Sequence, residues 1–558
     1  MKRKTWIVSA LMYALVFLVC FGVLHVFKKI TNAGDGAEYT TEAAADTDII
    51  IDGSGVDADR GNDPENGKNG RNAEAELSED ADGMETENDG GKDAHIRRET
   101  GYKGWKKTIE QVWPEIPKEE PYTPPKIIQA TDLHYQSASS EDDGAAFNTF
   151  VERCDGKVVK YLPQLLDAFI DQVIKEKPAA LVLSGDITMN GEKINHEELS
   201  ERLHKVQDAG IPVLVIPGNH DINNPNAAVY FGDEKESTDS VTPEEFYDLY
   251  HMYGYDQAIS RDSASLSYVY QLDERNRLLM LDSCQYEPKN LVEGRIKEET
   301  LAWMEEQLQK AKEDGMQILP IAHHNLLAQS RMYTTQCAME NNGEVIDLLQ
   351  KYKIPLFLSG HLHVQRIRKH KAEPGVADDA YGIQEIITDS ISIPPCQYGI
   401  LQWKEDGSME YSTESVDVSS WAKRTGQENT DLLDFEGWSE NYIQKLIADQ
   451  IGGVVKNVGR EVKRSMAVTY ADVYIDYYAG RKIDAKGVRT SEGYTWWERN
   501  LPDSYLLKEL NSMINDADRD NNYLLLPEDT ILEERYTWKK ATASEATPSQ
   551  ADRTGKAD

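Results

Sequence analysis

Five short apolar runs in this chain end in the same way, on carboxylate, imidazole or amide side chains, and that recurrence restricts the possible folds more than any other feature. After "KIIQAT" come Asp132 and His134, after "ALVLSG" comes Asp186, and after "VLVIPG" come Asn219, His220 and Asp221. "QILPIA" delivers His323 and His324, and "PLFLSG" delivers His361 and His363. Six of the twelve histidines stand at these places, so they are not scattered. Three more apolar runs, at 277–281, 384–388 and 399–403, read as strands too. Between the runs lie helical patterns such as "YLPQLLDAFIDQVIKE" and "EETLAWMEEQLQKAKED", with apolar residues three and four apart. The alternation is that of an α/β domain, in which ligands bind where the C-terminal ends of several strands converge. Any one such ending could be an ordinary turn, but five in one chain describe a site.

A mixed set of imidazole, carboxylate and amide donors suits two divalent cations, with a lone carboxylate such as Asp186 as the bridge. Donors of this kind favour Mn, Fe or Zn over Ca, and the lack of cysteine among them argues against a closed structural zinc site. Two ions about 3.5 to 4 Å apart can clamp a phosphoryl group, acidify a bound water and stabilise charge on the attacking and leaving oxygens. They would also supply positive charge that the chain lacks. A formal net charge of −37 argues against a nucleic-acid polymer as partner, because that contact needs Lys and Arg to replace counterions along the phosphates. The five cysteines have no paired spacing and suggest neither a zinc ribbon nor a disulfide framework.

The ordered series D-x-H (Asp132, His134), G-D (Gly185, Asp186), G-N-H-D (Gly218 to Asp221), H-H (His323, His324) and G-H-x-H (Gly360, His361, His363) resembles the calcineurin-like metallophosphoesterase superfamily over roughly residues 126–415. Within it, "SGDITMNGEKINHEEL" followed by "VIPGNHDINNPNA" resembles the bacterial cyclic-nucleotide phosphodiesterase branch, including members with an extra helical C-terminal domain. The resemblance implies an α/β fold, a two-sheet β-sandwich flanked by helices. It implies Asp132, His134, Asp186 and His363 as ligands of one metal, and Asp186, Asn219, His323 and His361 as ligands of the other. His220 would face the phosphoryl group and stabilise or protonate the leaving oxygen, and Asp221 would orient its neighbours from behind. Where the family often reads His-His-Pro, this chain has Asn325, which leaves both His323 and His324 open as the ligand, with His323 preferred as the first of the pair. The implied activity is hydrolysis of small phosphodiesters, 3′,5′- or 2′,3′-cyclic nucleotides among them, by attack of a metal-bound hydroxide. The same core also serves phosphomonoesterases and nucleotidases, and pocket shape decides between them. A non-catalytic surface binding protein is the reading from a different class.

Residues 1–5 carry positive charge, and residues 6–27 form an apolar stretch of about the 20 residues a bilayer span requires. That stretch exceeds the apolar region of a cleavable signal, so it is expected to be an uncleaved transmembrane anchor. Basic residues ahead of it favour a cytoplasmic N-terminus and an extracellular catalytic domain. Residues 28–112, acidic and poor in large apolar side chains, are expected to be a disordered linker. The phosphoesterase domain would occupy 113–425, a mostly helical C-terminal domain 426–538, and a disordered tail 539–558. In "NHEELSERLHKV", Asn195 reads as an N-cap with Glu198 three residues on, which puts His196 and His204 on a helix surface. In the C-terminal part, Ile443, Leu446, Ile447, Ile451, Val454 and Val458 form one apolar stripe. "DADRDNNYLLLPE" imitates a calcium loop through Asp516, Asp518 and Asp520. Asn521 stands where glycine is needed and Pro527 where the bidentate Glu belongs, so a plain helix-to-helix loop is expected.

Overall fold

Apolar runs that are buried on both faces can pair in parallel, and two sheets are built around such strands here. The computed structural model describes residues 122–328, 336–370, 382–456 and 458–526. The strands are β1 (Lys126–Ala130), β2 (Ala180–Ser184), β3 (Val213–Ile216), β4 (Ala228–Phe231), β5 (Glu234–Ser237), β6 (Ser260–Arg261), β7 (Tyr268–Gln271), β8 (Asn276–Leu281), β9 (Gln317–Ala322), β10 (Leu356–Ser359), β11 (Arg366–Lys369), β12 (Gln384–Ile387), β13 (Gln397–Trp403), β14 (Met409–Ser415) and β15 (Tyr523–Leu526). One sheet has the order β15-β14-β13-β1-β2-β3 and the other β11-β12-β10-β9-β8-β7-β6, with β4 and β5 as a separate hairpin. All eight apolar runs of the sequence are strands. β1, β2 and β3 run parallel in one sheet, and β8, β9, β10 and β12 run parallel in the other. The motif-bearing strand ends therefore gather at one edge of each sheet.

Helices α1 (Ala145–Val151), α2 (Leu162–Glu176), α3 (Lys193–Asp208), α4 (Pro243–Tyr250), α5 (Glu298–Glu313) and α6 (Asn342–Lys351) follow or connect the strands. The two-residue period of a strand decides which layer each side chain joins. On β8, Leu278 and Met280 enter a core shared with Ile128 and Leu183 of the other sheet, whereas Leu279 and Leu281 pack with Met304 and Leu308 of α5 and Leu349 of α6. Burying each such side chain stabilises the fold by about 1.5–3 kcal/mol. Gln129 of β1 adds a polar tie across the layers, donating to Ser184 Oγ at 3.0 Å and to the Ser359 carbonyl at 3.3 Å.

The rest of the described chain is mostly helical: α7 (Val418–Thr425), α8 (Thr430–Leu433), α9 (Phe435–Val454), α10 (Arg460–Tyr478), α11 (Ala485–Thr490), α12 (Glu492–Asn500) and α13 (Tyr505–Asp516). The expected stripe is cut short, because α9 stops at Val454. Ile443, Ile447 and Ile451 are buried, but Val454 is exposed and Val455 takes the buried place beyond the helix end. These helices share a core with Leu362, Val364, Ile387 and Ile393, so they pack directly against the G-H-x-H turn and the end of β12.

The loop expected between two helices leads instead into a strand. β15 pairs antiparallel with β14 and extends the first sheet, because "YLLL" gives an extended edge that the helical reading overlooked. Helix α3 begins at Lys193 with Glu192 at its cap. Asn195 lies inside the first turn, and its Oδ1 accepts from the Ser137 N–H at 2.9 Å. His196, expected on the surface, is wholly buried. It lies on the face of α3 that packs over the loop after β3, which is the physical reason for the difference. The apolar stretch at 6–27, the acidic linker at 28–112 and the tail at 539–558 lie outside the described residues. Among the described residues, no helix is long and apolar enough to cross a membrane.

Candidate metal centre

The strand ends meet because the chain reverses sharply at each. Asp132, His134, Asp186, His361 and His363 all have positive φ, at 53°, 46°, 48°, 72° and 58°. Asp and His tolerate the left-handed region better than most residues, yet each such position costs about 1–3 kcal/mol and clusters of them mark functional sites. The glycines of the motifs have a second reason. A Cβ on Gly218 would lie 2.1 Å from the Asp186 backbone nitrogen, and one on Gly360 would lie 2.0 Å from Thr131 Oγ1. Close backbone approach therefore fixes glycine beside the ligating residues.

Ligand atoms of Asp132, His134, Asp186 and His363 lie within 4.8 Å of one another, and so do those of Asp186, His323 and His361. Asp186 belongs to both groups. Each aspartate divides its two oxygens between scaffold and site. Asp132 Oδ2 accepts from Thr131 Oγ1 at 2.8 Å and from the His361 N–H at 2.9 Å, leaving Oδ1 3.0 Å from His363 Nε2. Asp186 Oδ1 accepts from the His220 N–H at 2.8 Å, while Oδ2 stands 3.3 Å from His323 Nε2 and 3.9 Å from His134 Nε2.

Backbone carbonyls set the imidazole tautomers, since a carbonyl can only accept. His323 Nδ1–H donates to the Ser184 carbonyl at 3.0 Å, so Nε2 is the nitrogen aimed at Asp186 and, at 3.2 Å, at Asn219 Oδ1. His361 Nε2–H donates to the Gln336 carbonyl at 2.7 Å, leaving Nδ1 for the site. Imidazole nitrogens thus converge on carboxylate and amide oxygens. Asp132 Oδ1 is sealed from solvent and accepts no hydrogen bond. A donor set of this kind fits divalent cations, which would be held by the two groups sharing Asp186.

His324 is turned away. Its Nδ1 lies 2.8 Å from Ser283 Oγ and its Nε2–H donates to the Val292 carbonyl at 3.0 Å, so both nitrogens are occupied outside the cluster. Asn325, standing in the family's proline position, donates to Ser359 Oγ at 3.1 Å and to the Gly360 carbonyl at 2.7 Å, tying the H-H strand to the G-H-x-H turn. His220 is about a third exposed, at 34%. Its Nδ1–H donates to the Met189 carbonyl at 2.7 Å, which directs Nε2 toward the open side of the cluster, 3.9 Å from Asp186 Oδ2.

Asp221 lies behind the turn, accepting from the N–H groups of Gly218 at 2.8 Å, Ile187 at 3.2 Å and Thr188 at 2.9 Å. Burial and the neighbouring Asp186 push its carboxyl up to about 6. His196 supports the same turn from below, donating to the Asp221 carbonyl at 3.0 Å. Burial takes its pKa down to about 4, so it serves as a neutral strut.

Sequence reasoning missed a sixth strand end. After β12, Ser390 and Ser392 donate their hydroxyls to the Asp132 carbonyl at 2.8 and 3.1 Å. Serines carry no ligand signature, and only the pairing of β12 with β10 could have exposed them. It also missed the use made of the calcium-like loop. Asn521 Oδ1 accepts from the Ile367 N–H at 3.2 Å, Gln365 Nε2 donates to the Asn521 carbonyl at 2.9 Å, and the Gln365 N–H donates to the Tyr478 carbonyl at 2.8 Å. The helical part therefore anchors the chain just after His363.

Parallel strand ends that bring a shared carboxylate, imidazoles and an amide to one edge define a binuclear metal hydrolase. Residues 125–365 match the family described as calcineurin-like phosphoesterase, and residues 417–520 match the C-terminal domain of cyclic nucleotide phosphodiesterase. Residues 125–365 thus form a calcineurin-like phosphoesterase domain, and the chain is a metal-dependent phosphoric ester hydrolase. A probable cyclic nucleotide phosphodiesterase from Ruthia magnifica subsp. Calyptogena magnifica is 27% identical over 199 residues, which is 36% of this chain and 68% of that protein. A solved dimetal phosphatase from Danio rerio is similar at 15% identity and a TM-score of 0.37, covering 52% of this chain and 97% of that one. A solved protein of Thermus thermophilus is similar at 11% identity and a TM-score of 0.28, covering 53% of this chain and 100% of that one.

Proposed function

We propose that the protein is a membrane-tethered phosphodiesterase acting on small phosphodiesters, cyclic nucleotides foremost, with two divalent ions drawn from Mn, Fe and Zn. The observation that carries this reading is the pairing of a donor set shared through Asp186 with a helical C-terminal domain of the cyclic nucleotide phosphodiesterase type. Asp132, His134, Asp186 and His363 hold one ion, and Asp186, Asn219, His323 and His361 hold the other. Divalent ions at such a site polarise phosphoryl oxygens and acidify a coordinated water. His220 Nε2, with Nδ1 committed to the Met189 carbonyl, holds the proton that the leaving oxygen requires. Asp221 fixes the turn that aims Asn219 and His220.

Residues 6–27 tether the catalytic domain on the outer face of the membrane. An external location favours a 2′,3′-cyclic nucleotide, a glycerophosphodiester or an envelope-polymer fragment as substrate. The test is a substrate panel with the Mn-loaded full chain, comparing cyclic nucleotides, glycerophosphodiesters and phosphomonoesters. The expected result is preference for a diester, and preference for monoesters would overturn the reading. Digestion of the domain by protease added to intact cells is expected, and protection would reverse the topology.

A further inference from the structure

The turn that delivers Asn219 and His220 lies beyond the end of β3, outside any sheet, yet the carbonyl of every residue from Asn219 to Ile222 is held by a side chain. His196 takes the Asp221 carbonyl at 3.0 Å, and Asn224 takes the His220 carbonyl at 3.0 Å. The other two, those of Asn219 and Ile222, both accept from Asn290 Nδ2, each at 2.8 Å. A carbonyl can only accept, so both amide protons of Asn290 are spent on this turn. Asn290 stands 71 residues beyond Asn219, in the loop between β8 and α5.

That loop is ordered against the usual preference of its residues. Leu291 and Val292 are exposed, whereas Asn290 and Glu293 are half-buried, the reverse of what burial of apolar surface alone would select. The loop also closes on itself, since the Leu291 N–H donates to the Gln285 carbonyl and Gln285 Nε2 donates to the Glu293 carbonyl, both at 2.8 Å. Its inward groups meet three ligand-bearing segments. Asn290 holds Asn219. The Val292 carbonyl accepts from His324, the neighbour of His323, at 3.0 Å, and a Cβ on Gly294 would lie 2.2 Å from the His324 ring. Glu293 Oε1 accepts from Gln336 Nε2 at 2.8 Å, and the Gln336 carbonyl accepts in turn from His361 Nε2 at 2.7 Å.

Asn219, His323 and His361 are the residues that, with Asp186, make up the second donor group. Among the described residues, no hydrogen bond of the loop reaches Asp132, His134 or His363, which complete the first. The second group draws Asp186 and Asn219 from the ends of β2 and β3 in one sheet, and His323 and His361 from the ends of β9 and β10 in the other. Its geometry therefore depends on how the two sheet edges are held together, and Asn290 reaches from the β8 side of that seam to the β3 side. We infer that Asn290 is a positioning residue for the second ion. It fixes the backbone that sets Asn219 Oδ1 against His323 Nε2, 3.2 Å away, and its loop governs the affinity of that ion and not of the first. Partners that orient metal ligands in this way commonly change metal affinity by about 10- to 100-fold. The inference rests on the binuclear reading of the site.

The experiment titrates the metal-free full chain with Mn and compares wild type with Asn290→Ala and with Asn290→Asp, which keeps the shape but loses the amide protons. Mn bound per chain is read at each step, with kcat on a bis-aryl phosphodiester beside it. In both variants one equivalent is expected to bind as in wild type and the other about 10- to 100-fold more weakly, and excess Mn is expected to restore most of kcat. Wild-type affinity for both equivalents would overturn the inference while leaving the binuclear reading intact. Equal weakening of both would also overturn it, by making the loop a general support of the fold. A second measurement needs no variant: in wild type, hydrogen exchange over residues 285–294 should slow with one Mn equivalent only, the one bound through Asn219, as judged by its absence in Asn219→Ala. Slowing that persists unchanged in N219A would overturn the inference. Wild-type protein that takes up fewer than two Mn would overturn the binuclear reading itself, and this inference with it.

Discussion

His323 Nε2 stands 3.3 Å from Asp186 Oδ2 while its Nδ1–H is committed to the Ser184 carbonyl. Burial alone would lower the His323 pKa, but Asp186 and Asp132 outweigh it and raise it to about 9 in the metal-free protein. The proton on Nε2 therefore occupies a metal position at neutral pH, and metal loading must expel it. With the folded pKa above the unfolded 6.5, the proton's contribution to metal-free stability is present in full below about 6.5 and is lost as pH rises through about 9. Apparent metal affinity runs the other way, rising by about tenfold per pH unit for this proton up to about 9. Calorimetric Mn titrations in buffers of different ionisation enthalpy should register proton release at pH 7. Absence of release would contradict the assigned ligand geometry.

His220 and Asp186 should separate by role. His220→Ala removes a side chain that leaves every proposed ligand in place, so it should retain two metals and lose most turnover, about 10²–10⁴-fold for a general acid. Asp186→Ala removes the carboxylate common to both donor groups and should lose the metals themselves. Metal analysis alongside turnover on a bis-phenyl phosphodiester distinguishes the two, and normal turnover in the Asp186 variant would end its bridging role.

Gly218→Ala tests the close approach of two strand ends. The new Cβ would lie 2.1 Å from the Asp186 nitrogen and 2.2 Å from its Oδ1, and backbone cannot yield as a flexible side chain can. Overpacking of this kind costs about 1–3 kcal/mol or more. A lowered melting temperature together with weakened Mn binding is expected, and an alanine variant with wild-type metal affinity would show that the turn has slack.

The strands and nearly all the candidate ligands were legible in the sequence because they rest on local signals: apolar runs of strand length, followed by residue types with a narrow range of uses. The choice of His323 over His324 was less so, since it depends on which carbonyls face each ring, and a sequence does not display carbonyls. His196 was misplaced for a related reason. A histidine on an amphipathic helix looks exposed until the partner of its face is known, and here that partner is the Asp221 carbonyl together with the Tyr250 hydroxyl. β15 was hidden because its pairing partner lies more than a hundred residues earlier in the chain. The task of the calcium-like loop, holding β11, depends on a contact with the helical part that no local pattern encodes.

That contact yields the last prediction. Asn521→Ala keeps the backbone bonds of the loop but removes the oxygen that accepts from the buried Ile367 N–H. It also removes the amide that donates to the Gly480 and Arg519 carbonyls at 3.4 and 3.2 Å. An unsatisfied buried N–H costs about 1–3 kcal/mol, so denaturant unfolding should register a loss of that order. The Ile367 N–H is on β11, the strand that leaves His363, and His363 has positive φ, a conformation that persists only while its surroundings enforce it. Loosening β11 should therefore weaken metal binding as well as stability, although Asn521 is not a ligand. Mn affinity measured under conditions where the variant is fully folded separates the two effects. If affinity were unchanged while stability fell, the helical domain would be a passive neighbour of the metal centre and not a support for it.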